Sequence, residues 1–143
     1  MVKGIMPKHH FILWMALQMR PNTVDRLLKW GIRVPEECVL CSSTAMETHS
    51  HLYFDCQYSR AIWQKPLIWM GCNRQIGSWL NEVEWVSKQV RHKKVIGDIL
   101  GTLFSATTYH VWIERKNQRF QQSSRTSEER LKEIACQIFI LAQ

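Results

Sequence analysis

The chain has 143 residues, 45% of them hydrophobic and 22% charged, with a formal net charge of +7. That length suits one core of ordinary size, and its longest apolar runs fall far below the roughly 20 residues of a membrane span, so no membrane-spanning helix is expected in it. Five cysteines, an odd number, several of them grouped around a histidine, point to reduced thiols and a metal and away from a disulfide scaffold.

The start, MVKGIMPKHHFILWMALQMR, is basic and partly apolar, but it lacks a small-residue cleavage site. It reads as mature domain, and an intracellular location, nuclear or cytoplasmic, is expected. A first helix is predicted over 9–18, between Pro7 and Pro21. Asn22 or Thr23 caps a second over about 23–30, with Gly31 as its stop and Leu27, Leu28 and Trp30 facing the core. Pro35 opens a loop that runs to Cys56. A third helix is predicted over about 57–70, ending at Gly71, with a kink or early end at Pro66. Ser78 caps a fourth, about 79–91, with Leu80, Val83 and Val86 on one stripe. A long fifth helix spans about 94–120, where Ile96, Ile99, Leu103, Ala106, His110 and Ile113 recur at three- and four-residue spacing. Thr126 and Glu129 form a capping box for a last helix, about 127–142. No alternation is long enough for a sheet. The expected fold is mainly α, a small helical domain with a zinc knuckle-like loop between helices. Residues 1–75 are expected as the zinc-binding unit and 76–143 as a helical extension packed on it or following it.

The loop holds the most specific chemistry. Cys38, Cys41, His51 and Cys56 read C-x2-C-x9-H-x4-C within CVLCSSTAMETHSHLYFDC. Three thiolates and an imidazole make a tetrahedral set for one structural Zn²⁺, with no open position for a catalytic water. His49, two residues before His51, is a rival ligand; otherwise it is expected to face solvent or to donate a hydrogen bond to a ligand. His9 and His10 lack cysteine partners and are expected at the surface or helix start. His110 is expected as a satisfied core histidine, Cys72 and Cys136 as small core residues, and most tryptophans as core.

Charge is distributed unevenly. Residues 1–33 carry net +5, residues 34–56 carry −4, and residues 86–125 carry +6. The metal loop is therefore a poor phosphate clamp. The cations expected to meet nucleic acid are Lys88, Arg91, Lys93, Lys94, Arg115, Lys116 and Arg119.

Five blocks in order, PKHHFILWMAL, NTVDRLLKWGI, CVLC, ETHSHLYFDC and AIW, resemble the reverse-transcriptase zinc-binding domain found near the C-terminus of plant LINE-type, non-LTR retrotransposon polyproteins. The resemblance covers about residues 6–70, and YHVWIERKNQRF is similar to the segment that follows that domain. It implies Cys38, Cys41, His51 and Cys56 as ligands, favouring His51 over His49 because His51 directly precedes Leu-aromatic-aromatic. No polymerase Tyr-x-Asp-Asp stretch occurs, and the only aspartates are Asp25, Asp55 and Asp98, so a non-catalytic accessory piece is expected. Its expected partners are RNA or DNA and other domains of a retroelement polyprotein, with no membrane. The alternatives are a protein-interaction module or a non-functional fragment of such a polyprotein.

Overall fold

The computed structural model describes residues 6–41, 43–92 and 94–142, the side chains of Lys94 and of residues 139–142 excepted. Among the described residues six α-helices follow one another: α1 (Pro7–Leu17), α2 (Val24–Lys29), α3 (Gln57–Trp69), α4 (Trp79–His92), α5 (Lys94–Phe120) and α6 (Ser127–Ala142). Among the described residues the only β pairing is a single antiparallel bridge between Glu37 and Met46. The protein is thus mainly helical, and every expected helix forms within a few residues of its expected ends. No helix among the described residues is long and apolar enough to cross a membrane.

The ends follow from local chemistry. Gly31 and Gly71 take φ of +77° and +80°, a conformation that costs a glycine little and other residues more. There the N–H of Ile32 reaches back to Leu27 O (2.9 Å), and that of Cys72 to Leu67 O (2.8 Å), closing α2 and α3. The capping box of α6 is reciprocal: Glu129 N–H donates to Thr126 Oγ1 at 3.1 Å and Thr126 N–H to Glu129 Oε1 at 3.2 Å. α3 runs through Pro66 and ends one turn later. Pro66 and Leu67 are both buried there, and that burial offsets the hydrogen bond the proline cannot make.

α5 is the central helix, flanked by α1, α3, α4 and α6. Its middle, residues 100–108, is buried all round. The hydroxyls of Thr102, Thr107 and Thr108 avoid a desolvation cost by donating to the carbonyls four residues back, at 2.8–2.9 Å. Against its Phe104 the rings of Tyr53, Phe54, Trp63 and Trp79 form one aromatic cluster, stacked at Phe54–Trp63, Phe54–Trp79 and Trp79–Phe104 and edge-on at Trp63–Phe104. Near its start α5 crosses α4 so closely that a Cβ on Gly97 would lie 2.3 Å from the backbone carbonyl oxygen of Gln89. Backbone cannot yield as a flexible side chain can, so Gly97→Ala is expected to destabilise the fold by about 1–3 kcal/mol in denaturant unfolding. An unchanged midpoint would show that the two helices are free to part.

Three buried glutamates tie the helices together, each to arginine. Glu82, fully buried, accepts from Trp63 Nε1 (2.8 Å) and Gly77 N–H (3.0 Å) and pairs with Arg74, joining α3 to α4. Glu114 accepts from Arg130 Nε (3.0 Å) and Nη2 (2.8 Å), joining α5 to α6. Glu47 belongs to the metal loop and is taken up below. Arg130 also donates to His110 Nδ1 at 3.0 Å, so His110 is the satisfied core histidine expected. Burial, with Arg130 beside it, pushes His110 down to about 4, holding it neutral.

Several side chains depart from the sequence-based expectation. His9 is buried on α1, its ring 4.5 Å from that of Tyr109; desolvation and neighbouring Lys8 push it down to about 4. α1 lies along α5, and that packing draws inward a residue expected at the surface. Leu80 is 69% exposed and Ile96 47% exposed, because the packed stripes of α4 and α5 run through Val83 and Val86 and through Leu100, Leu103 and Phe104. Cys136 is exposed and Cys72 half-buried. Trp30 is 57% exposed: α2 ends at Lys29, so the indole lies past the last helical turn.

Candidate metal centre

A hairpin and a turn build the site. Glu36–Cys38 pairs with Ala45–Glu47 through Cys38 N–H to Ala45 O (2.9 Å) and Glu47 N–H to Glu36 O (3.0 Å). This pairing places the C-x2-C segment at the hairpin tip. Within it Leu40 N–H points at Cys38 Sγ, 3.4 Å away, a contact that stabilises thiolate charge. Ser43 Oγ lies 3.4 Å from Cys41 Sγ.

The other two ligands come from the turn His51–Asp55, which Cys56 ends. Thr48 starts it by accepting Leu52 N–H on its carbonyl (2.9 Å) and His51 N–H on its hydroxyl (3.1 Å). Cys56 N–H closes it on His51 O at 2.8 Å, so the two ligands are clipped side by side. The closure forces Phe54 to φ +91°, costly for a residue with a Cβ. Phe54 N–H is nonetheless satisfied by Ser59 Oγ (2.9 Å), and its ring is fully buried against Trp63 and Trp79. Burial of Leu52, Tyr53 and Phe54 thus anchors the site to the aromatic core.

The four ligand atoms converge. The donor atoms of Cys38, Cys41, His51 and Cys56 all lie within 4.8 Å of one another. Cys38 Sγ and Cys56 Sγ are 3.8 Å apart, and Cys41 Sγ is 3.4 Å from His51 Nε2. A tetrahedral zinc with sulfur at about 2.3 Å and nitrogen at about 2.0–2.1 Å requires edges of about 3.8 Å (S···S) and about 3.5 Å (S···N). The cage therefore fits one zinc ion. Cys38 and Cys56 are buried, while Cys41 and His51 are half-exposed, leaving one flank for metal entry. The hydrogen bond from Cys56, helped by the N–H of Leu40, pushes the Cys38 thiol down to about 5, and Cys56 is pushed up as the partner that retains the proton. Zinc in place of that proton lets both serve as thiolates.

His49 is not among the four. It is buried, its two ring nitrogens have no hydrogen-bond partner, and it lies between Tyr53 (4.9 Å) and Trp79 (5.1 Å). Desolvation pushes it down to about 4. Neither solvent-facing nor bonded to a ligand, it serves as an aromatic core residue. The helical turn at residues 49 and 50 directs His49 inward and His51 toward the thiols.

Beside the cage lies a pairing that the sequence did not reveal. Glu47, fully buried, accepts from Arg115 Nε (3.0 Å), Arg119 Nη2 (3.0 Å) and the first N–H of α2, Val24 N (3.1 Å). Arg115 also donates to Asn22 O (3.0 Å), and Arg119 to Pro35 O (2.8 Å) and Glu37 O (3.0 Å). The last turns of α5 therefore hold the hairpin and the start of α2 together. The available signal was the spacing of Arg115 and Arg119, four residues apart on one helix face.

This pairing bears on the cations expected to meet nucleic acid. The side chains of Arg115 and Arg119 are each only 3% exposed and are committed to Glu47 and backbone carbonyls. Lys88, Arg91 and Lys116 are exposed, Lys88 within reach of Glu84 (3.2 Å). Lys93 and the Lys94 side chain lie outside the described residues.

Neither the curated proteins nor the solved structures contain a match to the chain. A protein-family model, described as zinc-binding in reverse transcriptase, matches residues 2–63, a stretch that runs from α1 into α3 and contains all four ligands.

Proposed function

We propose that the chain is a non-catalytic accessory module of a reverse transcriptase from a LINE-type, non-LTR retroelement, and that it binds RNA or DNA. The observation that carries the reading is the closed Cys3His cage inside the stretch similar to a reverse-transcriptase zinc-binding region. With four protein ligands, zinc serves as a cross-link and leaves no position for a reacting water. Residues 1–75 form the zinc-binding unit and 76–143 its helical support, joined through Arg115, Arg119 and Glu47. Phosphate contacts fall to the exposed Lys88, Arg91 and Lys116, since Arg115 and Arg119 are already paired.

Anisotropy titration of a labelled oligonucleotide over a salt series tests this reading. Affinity is expected to fall linearly on a log–log plot, and Lys88→Ala/Arg91→Ala/Lys116→Ala to reduce the slope by about 2–3. Glu36→Gln/Glu37→Gln, on the acidic hairpin, should leave the slope unchanged. Salt-insensitive binding, or none, would favour the second reading, a module that orders neighbouring domains of a polyprotein. The exposure of Ile68 (51%) and Trp69 (65%) at the end of α3 supports that alternative.

A further inference from the structure

A second surface combines exposed aromatic rings with positive charge. On α1, Trp14 is 43% exposed. The chain turns at Met19 (φ +56°) and brings the Arg20 guanidinium back over the Trp14 ring at 5.2 Å. Arg26 donates to Met19 O at 2.8 Å and lies over the Trp30 ring, also at 5.2 Å. Trp14, Arg20, Met19, Arg26 and Trp30 thus form one continuous row of contacts across α1 and α2.

Solvent-facing indoles are unusual, because tryptophan is among the side chains most buried on average, and grouped apolar exposure marks a binding surface. The neighbours indicate what binds. Arg20, Lys29 and Arg33 are exposed, and the one acid in residues 1–33, Asp25, accepts the Thr23 hydroxyl at 2.6 Å. A purely apolar protein partner would bury these cations without counter-charges. A polyanion that also offers flat π-faces satisfies both the rings and the cations.

We propose that the Trp14–Trp30 row is a stacking platform for single-stranded nucleic acid, bases resting on the two indoles and phosphates on Arg20, Lys29 and Arg33. The inference rests on the nucleic-acid reading above and assigns it a different face. Stacking tolerates any base, so selectivity lies in strandedness: a duplex hides its base faces and offers only phosphates. The platform also depends on the metal loop, because the first N–H of α2 is held by Glu47, beside the cage.

The test uses the full, reduced, zinc-loaded chain with oligo(dT), oligo(rU) and a duplex, each of about 20 nucleotides. Trp14→Ala/Trp30→Ala is expected to weaken single-strand binding by a factor of roughly ten or more, with zinc content and helicity unchanged. Trp14→Phe/Trp30→Phe should restore much of it, and Lys29→Glu/Arg33→Glu should weaken it even if the alanine variant folds poorly. Single-strand affinity equal to wild type in the tryptophan variants, while wild type still binds, would overturn the platform and leave the nucleic-acid reading standing. Duplex bound as tightly as single strand would overturn the platform as well. No binding to any oligonucleotide would overturn both.

Discussion

Chelating the metal from the reduced protein is expected to abolish its cooperative unfolding transition and much of its helicity. Cys38 with Cys56, and Cys41 with His51, join the hairpin tip to the turn that leads into α3. A structural zinc site of this type contributes about 10–16 kcal/mol of apparent binding free energy, against a total stability of about 5–15 kcal/mol for a small domain. Without it the Phe54 turn loses its closure, and with that turn goes the anchor of Tyr53 and Phe54 in the aromatic core. Cys38→Ser/Cys56→Ser should reproduce the loss. Cys136→Ser should not, since Cys136 is exposed and far in sequence from the cage. Circular dichroism with and without chelator reads the outcome, and an unfolding curve indifferent to chelator would show that the loop is held by packing alone.

The second large effect concerns Glu47. Glu47→Ala removes the counter-charge of Arg115, whose side chain is 3% exposed, and one partner of Arg119. Breaking a buried pair from one side leaves an uncompensated charge and costs about 3–5 kcal/mol. The same substitution frees the first N–H of α2 and loosens the hairpin, so zinc should also be held less tightly. Lys116→Ala, one position from Arg115 but exposed, should stay within about 0.5 kcal/mol of wild type. Denaturant unfolding of both variants separates the cases; equal, small effects would mean that the arginines find water when Glu47 is lost. In a double-mutant cycle with Arg115→Ala the two changes should be strongly non-additive.

How much of this was legible in the sequence depends on the range of the interaction. The helix ends rest on signals within a few residues: Gly31 and Gly71 at their positive φ, and Thr126 with Glu129 in the capping box. The metal cage was equally legible, because ligand spacing on a tight turn is a local property, and Leu52-Tyr53-Phe54 after His51 marked the segment that anchors it. What escaped was set by pairing between distant segments. Glu47 and Arg115 are 68 residues apart, and nothing near either names the other. Arg115 and Arg119 read as a surface charge run, although in the fold they neutralise the acidic hairpin. His9 and His49 read as polar, yet α5 covers the first and the Tyr53–Trp79 pair encloses the second. Trp30 was expected inside, and the end of α2 one residue earlier turned it outward.

One zinc ion held by three thiolates and one imidazole organises the loop. X-ray absorption at the zinc edge, on protein whose zinc content has been measured by elemental analysis, tests it most directly. The expected result is one zinc per chain, with three sulfurs at about 2.3 Å and one nitrogen at about 2.0–2.1 Å, reduced to fewer sulfurs or no zinc in Cys38→Ser/Cys56→Ser. No bound zinc, or a shell with two nitrogens that changes when His49 is replaced, would contradict the arrangement described for Cys38, Cys41, His51 and Cys56.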